Sequence, residues 1–160
     1  MTDLDARLQR LEDREQLREL KHRYAALCDA DYDADGLAEL FTADAVWDGG
    51  EVMGRHEGRE AIRTFFAASS AQMPFAIHHV LNERLDVDGD RATGRWYLWQ
   101  PCVFAADGES AALWMAGRYE DSYRRENAEW RFAHVKIELR MLSPYEHGWA
   151  VAPFGAVQAK

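Results

Sequence analysis

The chain has 160 residues, a size that predicts a single domain over residues 1–160 with room for a core and a small pocket. A hydrophobic share of 48% argues against disorder, and 19 Lys plus Arg against 28 Asp plus Glu, a formal charge of -9, argues against nucleic acid and anionic membrane surfaces as partners. Two cysteines, Cys28 and Cys102, are too few for a disulfide framework, the N-terminus lacks the basic and apolar regions of a signal peptide, and no stretch approaches the roughly 20 apolar residues of a membrane span, so a cytoplasmic protein is expected.

Residues 3–30 carry one helical pattern. Leu4, Leu8 and Leu11 recur at three and four spacing, followed by Leu17, Leu20, Tyr24 and Leu27, with Thr2 or Asp3 as the cap. Glu15 interrupts the stripe, so the first dozen residues read as an arm that packs elsewhere or as a solvated helix start. Residues 29–35, DADYDAD, form an Asp-rich turn. A calcium loop needs glycine at its sixth position and glutamate at its twelfth; counting from Asp29 these are Ala34 and Leu40, so the carboxylates are read as capping and turn residues.

Leu37, Leu40 and Phe41 predict a short second helix, and Ala45 to Trp47 a short strand. Gly49, Gly50 and Gly54 punctuate a turn. Residues 58–71 read as a third helix, with Ile62, Phe65 and Phe66 on its apolar side. The period then changes. Strands are predicted over 76–87, 91–104, 111–123 and 130–142, separated by turns at Asp88-Gly89-Asp90, Asp107-Gly108 and Glu126-Asn127, and the tail reads as loop. Helices first and a four-strand meander after predict an α+β fold with helices stacked on one face of an antiparallel sheet, curved enough to enclose a conical cavity.

Several side chains could carry chemistry. His78 and His79 are adjacent on a strand, so one faces inward and the other away; His78 shares its face with Val80 and Asn82. A histidine titrates near neutrality and suits a proton shuttle when a carboxylate fixes its tautomer. Tyr24 and Asp29 are five residues apart, about 140° around an ideal helix, so both reach one pocket only where the helix ends. On the strand from 95 to 104, Trp96, Leu98, Gln100, Cys102 and Phe104 share one face and Arg95, Tyr97, Trp99 and Val103 the other; one lines a cavity and the other packs outside. On the last strand, Trp130, Phe132, His134, Lys136, Glu138 and Arg140 form one face, and Arg140 could meet a ligand carboxylate from the strand end. Six tryptophans suit a pocket for a flat apolar ligand.

Together these residues resemble the SnoaL-like branch of the NTF2-like superfamily. The landmarks are Tyr24-x4-Asp29, LAELFTADAVWD at 37–48, the Gly58-Arg59-Glu60-Ala61-Ile62 helix start, and HHVLNERLDVDGDRATG at 78–94. GRYEDSYRRENAEWRFAHVKIEL at 117–139 and SPYEHGW at 143–149 complete them. The resemblance implies an NTF2-like cone of helices on a curved sheet around a pocket. That scaffold hosts dehydratases, isomerases, cyclases and pure binding modules, so the fold alone does not give the activity.

Within the group the resemblance is to scytalone dehydratase and the bile-acid dehydratases. It implies Tyr24, Asp29 and His78 as catalytic residues. A second polar catalytic residue of those families falls near Trp96 here, a departure from the pattern. The implied ligand contacts are Trp47, Phe65, Asn82, Trp96, Leu98, Tyr119 and Arg140. The expected activity is a lyase (dehydratase) or isomerase that needs no cofactor and no metal. It would act on a small apolar polycyclic or steroid-like hydroxy-ketone by His/Asp acid–base catalysis. The rival reading is a non-catalytic small-molecule-binding protein, or a structural protein like an oxygenase small subunit. The aromatic outer faces predict a homodimer or homotrimer.

Overall fold

The computed structural model describes residues 2–106 and 108–155. Asp107, in one of the expected turns, and the tail beyond residue 155 lie outside the described residues. Helix α1 spans Asp3–Asp29, and Thr2 closes its start in a capping box with Asp5. Leu17, Leu20, Tyr24 and Cys28 are buried along one stripe, whereas Leu4, Leu8 and Leu11 are exposed, so the buried stripe begins only after the break at Glu15.

The Asp-rich turn follows, with Asp31 and Tyr32 at φ 60° and 54° and Asp33 capping α2 (Ala34–Glu39) through Gly36 N. Phe41 does not extend that helix. It opens strand β1 (Phe41–Asp48), longer than the three residues predicted. The glycine-rich turn contains a one-turn helix α3 (Gly50–Met53) and strand β2 (Arg55–Glu57), which the punctuation alone did not reveal. Helix α4 (Arg59–Gln72) buries Ile62 and Phe66.

The meander consists of β3 (Phe75–Ala76), β4 (His79–Asp88), β5 (Arg91–Ala106), β6 (Glu109–Glu126) and β7 (Glu129–Pro144). The sheet order is β2-β1-β7-β6-β5-β3, with β4 also paired to β5. All neighbours are antiparallel except β1 and β7, which run parallel. The expected four-strand meander is thus extended at one edge by two strands from the helical half, β1 and β2.

Strand β5 alternates as the sequence predicts: Trp96, Leu98, Gln100 and Cys102 are buried on the concave face and Tyr97 is exposed on the other. Strand β7 does not keep one phase. Tyr123 pairs with Phe132 and Ser122 with His134, so one extra residue is accommodated in β7 between them. Before this bulge Trp130 and Phe132 are buried; after it Val135 and Ile137 are. The single face expected for Trp130 through Arg140 is therefore broken, because a bulge reverses a period-2 pattern. The concave face and helices α1 and α4 close over one hydrophobic core, in which each fully buried large side chain contributes on the order of 1.5–3 kcal/mol.

Candidate active site

The concave face is filled over one half and open over the other. In the open half lies a cavity of about 610 Å³, within the range of small-ligand sites. Tyr24 and Cys28 enter it from the last turns of α1, Tyr32 from the turn after it, and Trp47 from β1. Phe65, Phe66 and Met73 come from α4 and its end, Leu98 and Gln100 from β5, Met115 and Tyr119 from β6, and Ile137 from β7. Most of this wall is apolar, so the few polar groups in it set the chemistry.

His78 lies just ahead of β4 and lines the cavity. Its Nδ1 is 2.7 Å from Asp29 Oδ1, and its backbone N–H donates to Asp29 Oδ1 at 3.0 Å and Oδ2 at 3.3 Å. One carboxylate therefore holds both the main chain and the ring. The His78 side chain is 6% exposed and that of Asp29 32%, so the ring is in the wall and the carboxylate sits behind it. Helix α1 ends at Asp29, which removes the 140° conflict: Asp29 does not enter the cavity but reaches it through His78. With Nδ1 committed to Asp29, Nε2 is the nitrogen available to a ligand. His79 points the other way and is exposed, its Nδ1 3.2 Å from Trp99 O.

Tyr24 is buried against Phe41, Phe66, Tyr119 and Phe132, and its hydroxyl accepts from Trp47 Nε1 at 3.0 Å. That bond uses a lone pair and leaves the phenol proton to be donated. Burial raises the Tyr24 phenol well above its ordinary pKa, so it stays protonated. Trp47 packs on Phe65 at 4.5 Å and can do so because Gly49 carries no side chain: a Cβ there would stand 2.7 Å from the indole. Burial also pushes both thiols up, Cys102 to about 12, which keeps them un-ionised and unreactive.

Of the residues expected at the site, Tyr24, Trp47, Phe65, His78, Leu98 and Tyr119 line one cavity. Three do not. Asn82 is exposed at φ 53°, where β4 slips register against β5 between Leu81 and Arg84, so it leaves the face that His78 and Val80 would have shared with it. Trp96 faces the concave side but in the filled half, where its Nε1 donates to the Tyr123 hydroxyl at 3.1 Å. Arg140 is exposed at a second break in the β6–β7 register, between Ala116 and Gly117.

Several cavity residues have no role in the sequence reading, Tyr32, Met73 and Gln100 among them. Tyr32 was absorbed into the Asp-rich turn. Met73 lies just past the helix predicted to end at residue 71 and has no role in that reading. Gln100 was placed on the correct face but given no role, although it is the buried polar side chain of β5 in the cavity. Alternation along β5 was the signal available for it.

The filled half holds a buried ion pair. Lys21 Nζ is 2.9 Å from Asp121 Oδ2, both side chains fully enclosed, and the ammonium sits 3.3 Å from the centre of the Tyr119 ring. Tyr123 OH donates to Asp121 Oδ2 at 2.9 Å. Burial lowers the lysine pKa and raises that of the aspartate, and their mutual attraction opposes both shifts. Among the described residues no three His, Cys, Asp or Glu side chains cluster as a metal site would require, and no helix is long and apolar enough to cross a membrane.

Residues 9–136 match the SnoaL-like domain family. Curated relatives include uncharacterised proteins of Mycobacterium tuberculosis and Mycobacterium bovis, 32% identical over 101 residues, a match that spans 61% of this chain and 65% of the relatives' length. Among solved structures, a candidate aromatic ring hydroxylase from Novosphingobium aromaticivorans is 30% identical with a TM-score of 0.76, covering 84% of this chain and 94% of that one. A candidate scytalone dehydratase from the same organism superposes at 0.74 with 20% identity over 93% and 97%. The hexachlorocyclohexane dehydrochlorinase LinA-type3 of Novosphingobium barchaimii superposes at 0.75 with 21% identity over 94% and 98%. At those two identities the likeness is one of fold. The chain belongs to the SnoaL-like family and has the NTF2-like, cystatin-like fold.

Proposed function

We propose that the protein is a cofactor-independent lyase that dehydrates, or an isomerase that rearranges, a small apolar hydroxy-ketone. The observation that carries this reading is the Asp29–His78 pair, 2.7 Å apart, in the wall of a largely apolar cavity. Asp29 holds the imidazole in the Nδ1–H tautomer. Nε2 removes the proton next to the ketone, and the carbonyl becomes an enolate. As the carbon–carbon double bond forms and the carbon–oxygen bond to the hydroxyl breaks, Nε2 returns the proton and water leaves. Tyr24 donates to a substrate oxygen, the enolate or the departing hydroxyl. The volume and aromatic walls suit a flat, polycyclic or steroid-like skeleton. Structures related in fold that are described as a dehydratase and a dehydrochlorinase agree with elimination chemistry, though they lend no substrate.

The test is turnover across a panel of hydroxy-ketones, followed by the absorbance of the conjugated ketone. His78→Ala should lower the rate on the order of 10²–10⁴-fold, the usual worth of general acid–base assistance. Equal rates for wild type and variant would defeat the mechanism.

One observation favours a second reading, assembly with protein. Trp99 and Trp114 stack at 5.3 Å on the outer face of the sheet, with Trp149 edge-on to both and 53% exposed. An exposed aromatic cluster of this kind supports a homodimer or homotrimer, or a role as the small partner of another protein. Sedimentation as a monomer at micromolar concentration would remove the first of these.

A further inference from the structure

Two hydrogen-bond donors in the cavity converge on one sulfur. Tyr32 OH lies 2.9 Å from Met73 Sδ, and Gln100 Nε2 lies 3.2 Å from the same atom. A thioether is a weak acceptor, so both donors hold a poor partner at a point where an oxygen would be a good one. All three side chains line the cavity, and the Tyr32 ring stands edge-on to His78 with centroids 6.2 Å apart.

The donors are fixed and the sulfur is not. Tyr32 is stacked on Phe66, and Gln100 is 2% exposed in the middle of β5. Met73 caps the end of α4, is half-buried, and carries the most adaptable apolar side chain. Burial raises the Tyr32 phenol, so it remains a neutral donor, and the Gln100 amide is neutral at every pH. Two neutral donors suit a carbonyl that gains partial negative charge better than they suit a carboxylate or phosphate, which would call for a cation.

We propose that Tyr32 and Gln100 are the carbonyl-binding pair of the cavity, and that the Met73 thioether occupies their position until a ketone oxygen displaces it. This rests on the reading of the cavity as a ketone site and deepens it. With the ketone oxygen held by Tyr32 and Gln100 beside His78, the Tyr24 hydroxyl is left for the departing hydroxyl at another point of the wall. The pair acts as fixed donors at the place where enolate charge develops.

The probe is 1-tetralone carrying ¹³C at its carbonyl, a flat ketone with no leaving group. Binding is followed by tryptophan fluorescence and the carbonyl stretch by difference infrared spectroscopy. In the wild type the stretch should fall below its value in hexane. Tyr32→Phe and Gln100→Leu should each move it part of the way back and weaken binding about 3- to 10-fold, the loss of one hydrogen bond. Met73→Leu removes the competing acceptor and should tighten binding, a sign that loss of packing would not produce. Near-UV circular dichroism and the urea midpoint show that each variant is folded.

An unshifted stretch in the wild type, no shift in either donor variant, or no binding of 1-tetralone overturns the proposal. Failure of the lyase reading is separate. Donor-dependent binding with no turnover of any hydroxy-ketone would leave the carbonyl pair standing, whereas turnover lost in His78→Ala with a stretch indifferent to Tyr32 and Gln100 would leave the lyase standing and remove the pair.

Discussion

The two halves of the concave face bury polar side chains in opposite ways. In the filled half, Lys21, Asp121, Tyr123 and the Trp96 indole are joined to one another, with contacts of 2.9 to 3.1 Å, and Asp121 Oδ1 alone of the carboxylate is left without a hydrogen-bond partner among the described residues. In the open half, His78 lines the cavity with Nδ1 committed to Asp29, while Tyr32 and Gln100 share a sulfur. The same three elements, α1, β5 and β6, supply both halves a turn or a few residues apart. Polar groups that partner each other hold a fold together; polar groups left under-partnered around a void are available to a ligand. Substitutions in the filled half should therefore change stability, and those in the open half should change chemistry.

The largest expected effect comes from Lys21→Met. It leaves Asp121 buried without its counter-charge and should cost about 3–5 kcal/mol in urea unfolding. The double variant Lys21→Met/Asp121→Leu should lose less than the single one, because no uncompensated charge remains. A Lys21→Met variant as stable as the wild type would break the comparison at once.

Asp29→Asn tests the other half. It keeps the shape of the His78 contact but removes the charge that orients the ring, and should slow turnover on the order of 10²-fold with little change in the urea midpoint. Tyr24→Phe should slow it less, since water can replace one hydrogen bond. A variant that unfolds instead would place the dyad among the structural contacts.

Gly94→Ala sharpens the account of the filled half. An added Cβ would stand 2.8 Å from Tyr123 OH and 3.0 Å from Leu85 Cδ2, so the hydroxyl that donates to Asp121 must move. Overpacking of this kind costs about 1–3 kcal/mol in thermal or urea unfolding, and turnover per folded molecule should persist.

The smallest effect is a surface control. Arg124 holds the Asp44 carboxyl down to about 2, from an ordinary 3.8, through a hydrogen bond at 2.5 Å. A depressed folded pKa stabilises fully above the unfolded value, and that stability disappears as pH falls through about 2. Asp44 is 70% exposed, so solvent screening limits the pair to about 0.2–1 kcal/mol. Asp44→Asn should flatten the acid limb of the stability curve between pH 4 and 2 by that much and leave neutral stability almost unchanged.

Much of the frame was legible because it is periodic. The stripe through Leu17, Leu20 and Tyr24 and the alternation from Trp96 to Cys102 are statements about burial, and burial is what the sheet and helix enforce. Both His78 and Asp29 were named from the sequence, through the family resemblance, and the fold brings them together. What escaped depends on single insertions and on long-range partners. The breaks near Asn82, between Phe132 and His134, and at Arg140 each reverse a face, and a bulge leaves no mark in a hydrophobic pattern. Lys21 sits inside the apolar stripe of α1, but its tolerance there depends on Asp121 a hundred residues later. Tyr32 and Gln100 become a pair only through Met73, on a third element.

The central claim is that His78 exchanges a proton with carbon next to a ketone. It can be tested without knowing the natural substrate or its leaving group. Wild-type protein, incubated with 1-tetralone in D₂O, should catalyse deuterium incorporation at the carbon adjacent to the carbonyl, read by mass spectrometry. His78→Ala, folded by circular dichroism and still binding the ketone, should reduce that incorporation on the order of 10²–10⁴-fold. Incorporation by His78→Ala at the wild-type rate would contradict the account.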